Sequence, residues 1–133
     1  MECTIVQMRM QEAAPFFMVR EDDTGSVVGF INGTLSTSQE LTHESMGKHE
    51  SSGETLCVHS VVTREDQRRA GIGTEMLRAY IAYIRAQQPC VKSIALICKE
   101  NLKGFYAGCG FELIGPSPVV HGVDQWFEMR LRC

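Results

Sequence analysis

The segment from Gln67 to Thr74 reads Gln-Arg-Arg-Ala-Gly-Ile-Gly-Thr and lies at the start of a predicted helix. Backbone N–H groups in the first turn of a helix have no intrahelical partners, and they lie at the positive end of the helix dipole. A pyrophosphate can therefore be bound there by main-chain atoms alone, and glycine lets the phosphate approach the backbone closely. This segment thus predicts the binding of a phosphorylated ligand.

Two common phosphate-binding motifs do not fit this segment. The P-loop pattern GxxxxGK[ST] is absent, and the dinucleotide fingerprint GxGxxG lacks its third glycine because Glu75 and Met76 follow Thr74. The pattern that remains is Arg68-x-x-Gly71-x-Gly73. On its own it favours an ordinary glycine-rich turn with a solvated basic edge, so its interpretation depends on the elements around it.

Strands and helices alternate around the glycine turn. Phe16–Arg20 and Val27–Leu35 are predicted antiparallel strands joined by a hairpin turn. Ser36–Gly53 is polar, and we expect a loop there with a short helical turn at Glu40–Met46. The next strand, Thr55–Val62, leads to the glycine turn; alternation places Thr55, Cys57, His59 and Val61 on one face and Leu56, Val58, Ser60 and Val62 on the other.

The second half of the chain continues this alternation. A helix from Thr74, with apolar residues at helical spacing, should end before Pro89. Val91–Cys98 is a nearly continuous apolar run, typical of a buried strand parallel to the first across a helical crossover. A second helix over Asn101–Cys109 and strands over Phe111–Leu113 and Gln125–Leu131 complete the prediction, which is an α/β fold with a mixed central sheet.

The composition is that of one small globular domain, which we expect to cover residues 1–133. Of these residues, 44% are hydrophobic and 22% are charged, which is ordinary for a soluble protein with one core. A formal net charge of −3 without a basic block disfavours nucleic acid as a partner. The longest apolar run, Ile94–Cys98, is too short to span a membrane, and the N-terminus does not begin like a signal peptide, so we expect a cytoplasmic protein.

The cysteines indicate neither a metal site nor a disulfide framework. They occur without a CxxC pair or a cluster with histidine, and we therefore expect no metal. The six are Cys3, Cys57, Cys90, Cys98, Cys109 and Cys133.

Two motifs at the expected separation resemble the GNAT superfamily of N-acetyltransferases. The first is Arg68-x-x-Gly71-x-Gly73 at the start of a helix, and the second is Asn101-Leu-Lys-Gly-Phe-Tyr106-x-x-Cys-Gly110-Phe111 after an apolar strand. The similarity extends from about Phe16 to the C-terminus. Within the superfamily the chain most resembles the arylalkylamine N-acetyltransferases, through Gly29–Leu35, Leu41–Ser45, Ala95–Cys98, Phe105–Tyr106 and Ile114–Pro116.

The resemblance implies an N-acetyltransferase that uses acetyl-CoA as co-substrate. A primary amine would attack the thioester directly in a ternary complex, with a backbone N–H near Val61 holding the carbonyl oxygen and Tyr106 protonating the departing thiolate. Tyr106 alone would otherwise be interpreted as a core aromatic residue. The implied acetyl-CoA-binding residues are Val61, Val62, Thr63, Arg68, Arg69, Ala70, Gly71, Ile72, Gly73, Thr74, Asn101 and Tyr106; Asn101 could instead only cap its helix.

The resemblance also implies a base, because an alkylammonium with a pKa of about 10 must lose a proton before its nitrogen can attack. His59 is the implied catalytic base. The arylalkylamine enzymes carry two histidines in this strand, whereas Cys57 occupies the first of those positions here, so a water molecule or Glu54 are alternatives. His59 could also be a hydrogen-bonded histidine that only orders the sheet. Substrate contacts carried over from the family are Val61 and Ile97, both apolar.

The front of the chain departs from the family pattern. Family members begin with a strand and two helices before the hairpin, whereas fifteen residues precede Phe16 here. We therefore expect one strand over Met1–Met10 and no N-terminal helices. An open amine site, walls supplied by a second copy in a homodimer, or an incomplete form of the enzyme would each account for this departure.

Three functions are consistent with these features. The first is acetylation of a small-molecule amine, an arylalkylamine or a polyamine. The second is acetylation of a protein or peptide, which an open groove would favour. The third is a non-catalytic homologue that binds acetyl-CoA, which the short front and Cys57 would favour.

Overall fold

One mixed sheet organises the part of the chain that the computed structural model describes, residues 9–68 and 71–133. The strands are β1 (Phe17–Glu21), β2 (Val27–Ser36), β3 (Thr55–Thr63), β4 (Ser93–Lys99), β5 (Glu112–Pro116) and β6 (Trp126–Arg132). They form a single sheet in the order β1-β2-β3-β4-β6-β5. The helices are α1 (His43–Met46), α2 (Ile72–Gln87) and α3 (Lys103–Gly108), with single 3-10 turns at Ala14–Phe16, Glu65–Gln67 and Glu100–Leu102.

These elements confirm the predicted α/β fold class. β3 and β4 are parallel, α2 forms the crossover between them, and every other neighbouring pair of strands is antiparallel. One expectation is corrected. Residues 9–12 are helical, whereas the sequence analysis predicted a strand over Met1–Met10 and no helix before the hairpin; residues 1–8 lie outside the described part of the chain.

One face of the sheet forms the apolar core under α2. The buried residues of α2 recur at helical spacing, as an amphipathic helix on a sheet requires, and Tyr80 among them is fully buried and donates a hydrogen bond of 2.8 Å to the carbonyl of Phe16. The sheet contributes Ile31, Leu35, Leu56, Val58, Ile94, Leu96, Met129 and Leu131 to this core.

The opposite face of the sheet is also buried but is largely polar. A small apolar cluster of Leu41, Cys57 and Ala95, with Met46 and Ile97 against it, covers part of this face. Since α1 and the segment before it supply Leu41 and Met46, the polar loop between β2 and β3 packs on this side. The buried polar residues on this face are Asn32, Thr34, Ser36, Thr55, Ser93 and Glu128.

A β-bulge separates the end of β3 from β4. β3 pairs with β4 only over Thr55–Cys57. The register between β2 and β3 then shifts, because Gly33 pairs with Val58 while Asn32 pairs with Ser60, so that His59 is the extra residue. A bulge bends its strand and locally increases the twist, and the two central strands diverge into a fork.

The bulge also corrects the predicted facing of Val61. Regular alternation would place Val61 on the same face as Cys57 and His59, but the extra residue reverses the facing of all later positions. Val61 instead pairs with Ile31 and packs against the apolar core.

Candidate active site

A cavity of about 690 Å³ lies between the end of β3, the start of α2 and α3. It opens beyond the last residue pair of β3 with β4, where the edge of β3 has no neighbouring strand among the described residues. Its lining includes every predicted acetyl-CoA-binding residue that the structure describes, except Asn101. The lining residues are Val61, Val62, Thr63, Arg68, Gly71, Ile72, Gly73, Thr74, Leu102, Phe105 and Tyr106.

The start of α2 presents backbone donors to this cavity. Gly71 occupies the N-cap position in the left-handed region, with φ of 78°, and provides no side-chain cap for the first turn. A Cβ atom added at Gly73 would meet the Phe105 ring at 3.5 Å and Thr63 Oγ1 at 3.7 Å, both of which belong to cavity-lining residues. The first-turn N–H groups therefore remain available to an anion.

Arg68 adds a positive charge beside these donors. Its Nε donates a hydrogen bond of 3.2 Å to the carbonyl of Thr63, at the end of β3. Arg69 and Ala70 lie outside the described residues. Uncapped N–H groups, glycine at the approach and a neighbouring guanidinium are the donor set that a pyrophosphate requires, so the residues present fit an acyl-CoA.

Tyr106 is the predicted proton donor, and its side chain reaches the cavity from α3. The residue is 8% exposed, and its ring makes edge-to-face contacts with Phe105 at 4.9 Å and Phe111 at 5.8 Å. Burial raises the pKa of the Tyr106 hydroxyl to about 12. The hydroxyl thus keeps its proton throughout the physiological range, as a proton donor must.

His59 lies outside the cavity lining, and both of its ring nitrogens face protein atoms. Nε2 is hydrogen-bonded to Thr34 Oγ1 at 2.7 Å, and Nδ1 lies 3.8 Å from Cys57 Sγ. Burial, with a smaller contribution from the Arg9 cation, lowers the pKa of His59 to about 3. The imidazole is therefore neutral at pH 7 but a weak base.

Cys57, two residues before His59 in β3, is fully buried. Burial raises the pKa of the Cys57 thiol to about 12. A thiol that stays protonated is neither a nucleophile nor a proton acceptor. The Cys57 side chain instead contributes to the small apolar cluster with Leu41 and Ala95.

Two further predicted residues lie away from the cavity lining. Asn101 is exposed and borders a separate hollow with Lys99 and Asp124. Lys99 is the N-cap residue of the 3-10 turn and Leu102 is that of α3, so Asn101 does not occupy the N-cap position of either. Ile97 is half-buried among Leu41 and Cys57 on the polar side of the sheet, opposite Val61.

Glu54, the alternative base, lies at the wrong end of β3. It directly precedes the strand, and its carbonyl accepts a hydrogen bond of 2.8 Å from the Lys92 N–H. At about 3.3 Å per residue, the strand places Glu54 roughly 20 Å from Val61. A side chain cannot reach the fork across that distance.

Several residues of the site were not predicted from the sequence. Leu102 and Phe105 line the cavity, although Phe105 stands in the recognised motif beside Tyr106. Thr34, which is hydrogen-bonded to His59, could have been found from a pattern in the sequence. Asn32, Thr34 and Ser36 alternate with apolar residues in a strand that is buried on both faces. Polar residues at every second position of such a strand indicate a polar interior.

The described part of the chain contains no cluster of three histidine, cysteine or acidic side chains placed to hold a metal ion. Among the same residues, none of the helices has the length and apolar content needed to cross a lipid bilayer.

Comparison with known sequences yields a family and a set of relatives. The profile of the Acetyltransferase (GNAT) family matches residues 2–111. Serotonin N-acetyltransferase from Mesocricetus auratus is 33% identical over 113 residues, which cover 84% of this chain and 54% of that protein. The enzyme of the same name from Homo sapiens is 30% identical over 107 residues, covering 80% of this chain and 51% of that protein. The chain thus spans about half the length of the curated relatives it matches.

Solved structures share the fold over nearly the whole chain. The GphF GNAT-like decarboxylase in complex with isobutyryl-CoA superposes with a TM-score of 0.84 at 15% identity, covering 99% of this chain and 85% of that one. Ard1 from Thermoplasma volcanium has a TM-score of 0.75 at 21% identity, with 99% and 80% covered. Identities this low establish the fold alone. Since one of these structures is a decarboxylase, the fold does not determine which reaction is catalysed.

Proposed function

Because the chain belongs to the GNAT acetyltransferase family, we propose that it transfers the acetyl group of acetyl-CoA to a primary amine. The observation that carries this proposal is the cavity in which the uncapped start of α2 and the Tyr106 side chain meet. The relatives named serotonin N-acetyltransferase support a small arylalkylamine as the first substrate class to test. Polyamines come second.

The residues of the cavity have separate roles in this proposal. The first-turn N–H groups of Ile72–Thr74, with Arg68, bind the pyrophosphate, and the unpaired edge of β3 at Val61–Thr63 pairs with the pantetheine arm. Acetyl-CoA supplies an acyl group activated as a thioester. A backbone N–H near Val61 holds the thioester carbonyl oxygen as negative charge develops on it.

Acyl transfer forms one bond and breaks another. The amine lone pair forms the C–N bond, and the C–S bond breaks to leave a thiolate. Tyr106 donates its hydroxyl proton to the departing sulfur, the proton lost by the amine passes to solvent, and the Tyr106 oxygen then takes up a proton from solvent, so that the enzyme returns to its starting state. Burial keeps this hydroxyl protonated until it is needed.

His59 is poorly suited to take the proton of the amine. Since one pKa unit corresponds to about 1.4 kcal/mol, transfer from an alkylammonium of pKa about 10 to an imidazole of pKa about 3 is uphill by on the order of 10 kcal/mol. We therefore expect the small fraction of amine that is already deprotonated to be the reacting species.

The test of this proposal is a Tyr106→Phe exchange in the purified chain. We expect turnover to fall about hundredfold, as loss of a proton donor typically does, while the dissociation constant of CoA stays nearly unchanged because the ring remains. Thiol release from acetyl-CoA, measured with tryptamine, phenethylamine, spermidine and a lysine peptide, gives the rate, and isothermal titration gives the affinity.

Tyr83→Phe is the matched control. Tyr83 lies near the C-terminal end of α2, outside the cavity lining, and its hydroxyl accepts a hydrogen bond from Gln88. Equal rates for the two variants would contradict the role of Tyr106. Binding of CoA without turnover on any amine would favour the non-catalytic alternative, and preference for the lysine peptide would favour the protein acetyltransferase.

A further inference from the structure

The bulge in β3 is held by a side-chain contact that the acetyl transfer itself does not use. His59 is the extra residue of the bulge, and its Nε2 is hydrogen-bonded to Thr34 Oγ1 on the neighbouring strand at 2.7 Å. Thr34 does not pair with His59 in the register but with Cys57, two residues earlier. The imidazole therefore points toward the N-terminal end of β3 and connects the bulge to the regular pairing that precedes it.

The surroundings of this contact make it hard to replace. Thr34 is 0% exposed, and Cys57, which lies 3.8 Å from the other ring nitrogen, is 0% exposed as well. Because the Thr34 hydroxyl is buried, it would have no water to bond if it lost this partner. The contact thus favours one position of the bulge over its neighbours.

The position of the bulge decides the shape of the acyl-CoA end of β3. Beyond the bulge, Val61 pairs with Ile31 and Thr63 pairs with Gly29, and both Val61 and Thr63 line the cavity. If the extra residue were lost or moved past Val61, the Val61 side chain would turn to the other face of the sheet. The cavity wall would then be built from the wrong residues.

The charged and titratable groups around His59 do not favour a protonated imidazole. Arg9, from the helical residues 9–12, contributes a buried positive charge near both His59 and Cys57. Cys57 on the same strand is a buried neutral thiol, and Glu128 of β6 acts on Cys57 from the other side. Thr34, on β2, contributes a hydroxyl and no charge.

We propose that Thr34 and His59 form a clamp that fixes the bulge of β3, so that both serve acyl-CoA binding as positioning residues and His59 does not accept the proton of the amine. This inference rests on the proposed function for its ligand. Its structural part concerns the strand alone and can be measured in the free protein.

The first test compares Thr34→Val with two matched variants. Valine keeps the branched shape of threonine but cannot bond His59, Thr34→Ser keeps the hydroxyl, and Thr55→Val removes another buried hydroxyl of the same face at the far end of β3. We expect CoA to bind about tenfold more weakly to Thr34→Val by isothermal titration, with near-normal affinity in Thr34→Ser and Thr55→Val.

Amide hydrogen exchange provides a readout that needs no ligand. In Thr34→Val, exchange at Val61, Val62 and Thr63 should accelerate about tenfold over the wild type, because their register to β2 is no longer fixed. Thr55→Val should leave these three amides unchanged. Equal exchange of these amides in the two valine variants would overturn the clamp, whether or not the protein binds CoA. Failure of the wild type to bind CoA would count against the proposed function and would leave this exchange test of the clamp valid.

The pH profile separates a positioning role from a catalytic base. We expect kcat/KM for the amine to rise about tenfold per pH unit between pH 6.5 and 8.5 in the wild type, following the free amine. His59→Gln should give a lower but parallel line. An inflection in the wild type that disappears in His59→Gln, with unchanged CoA affinity, would restore His59 as the base and overturn the proposal.

Discussion

At the residue scale, His59 illustrates how a side chain suited to proton transfer becomes a neutral structural group. Desolvation is the main cause of its low pKa, and the Arg9 cation adds to it. The same shift links His59 to stability, because any group whose pKa differs between folded and unfolded chains makes unfolding depend on pH.

We predict that acidification destabilises the protein through His59. In the unfolded chain His59 binds a proton below its usual pKa of 6.5, whereas the folded chain does not bind that proton until about pH 3. The unfolded state is therefore favoured progressively as pH falls from 6.5 to 3, and at pH 5 this amounts to about 2 kcal/mol. Urea unfolding measures this effect. Between pH 7 and pH 5, the free energy of unfolding of His59→Gln should fall by about 2 kcal/mol less than that of the wild type.

The matched control is His121→Gln, which removes an exposed histidine. Its loss of stability between the two pH values should equal that of the wild type. A His59→Gln variant that loses as much stability on acidification as His121→Gln would show that His59 is not held neutral in the folded protein.

The sequence could identify His59 but not its environment. Alternation along Thr55–Val62 predicts a regular strand, and nothing in the eight residues themselves marks one of them as extra. The bulge is a property of two strands together, because it exists only in the register of β3 against β2, where Gly33 pairs with Val58 and Asn32 pairs with Ser60. Residues fixed by backbone chemistry, such as Gly71 with its positive φ, were by contrast predictable from the sequence.

At the element scale, the start of α2 combines the end of a strand, a glycine turn and an uncapped helix. The fold of this region follows from local sequence, since Gly71 supplies the left-handed residue before the helix and the position before Pro89 is disfavoured for further helix. What the sequence could not supply is the partner surface. Leu102 and Phe105 reach the cavity only because α3 packs beside the end of β3.

We predict that Gly73→Ala weakens CoA binding without destabilising the fold. The added methyl would be in ordinary contact with Phe105 and Thr63 within the protein, and alanine in a helix is favoured over glycine by about 1 kcal/mol. The methyl would nevertheless project into the cavity, so we expect the dissociation constant of CoA to rise at least about tenfold. Thermal unfolding and isothermal titration on the same preparation measure the two effects.

Gly108→Ala is the control for this exchange. A Cβ atom there meets nothing within 4 Å, and the residue lies at the end of α3 outside the cavity lining. The two variants should gain similar stability but differ in CoA affinity. Unaltered affinity in Gly73→Ala would mean that the ligand does not approach the first turn of α2.

At the scale of the whole molecule, a partly buried ion pair connects the loop after β2 to the opposite half of the sheet. Glu128 Oε2 lies 3.3 Å from Arg130 Nη2, and Glu128 Oε1 accepts a hydrogen bond of 3.2 Å from the Leu41 N–H. Arg130 also bonds the carbonyl of Gln39 and, at 3.2 Å, Ser93 Oγ. The segment that covers the polar face is thus fastened by residues about 90 positions later in the chain.

We predict that Glu128→Ala lowers the free energy of unfolding by about 2 kcal/mol, because it leaves the half-buried Arg130 guanidinium without its carboxylate. Urea denaturation checks this value. Glu44→Ala removes the exposed pair with Lys48 on α1 and should cost no more than about 0.5 kcal/mol. Equal losses in the two variants would show that burial adds nothing to the Glu128 pair.

The short junction between β3 and β4 has a consequence for the order in which the chain folds. β1, β2 and β3 form one antiparallel half of the sheet, β4, β5 and β6 form another, and the strand pairing between the two halves consists of three residue pairs of β3 with β4. Each half closes loops within its own stretch of chain, whereas the parallel junction needs the whole crossover in place. We therefore expect the junction beside the fork to form after the two antiparallel halves during folding.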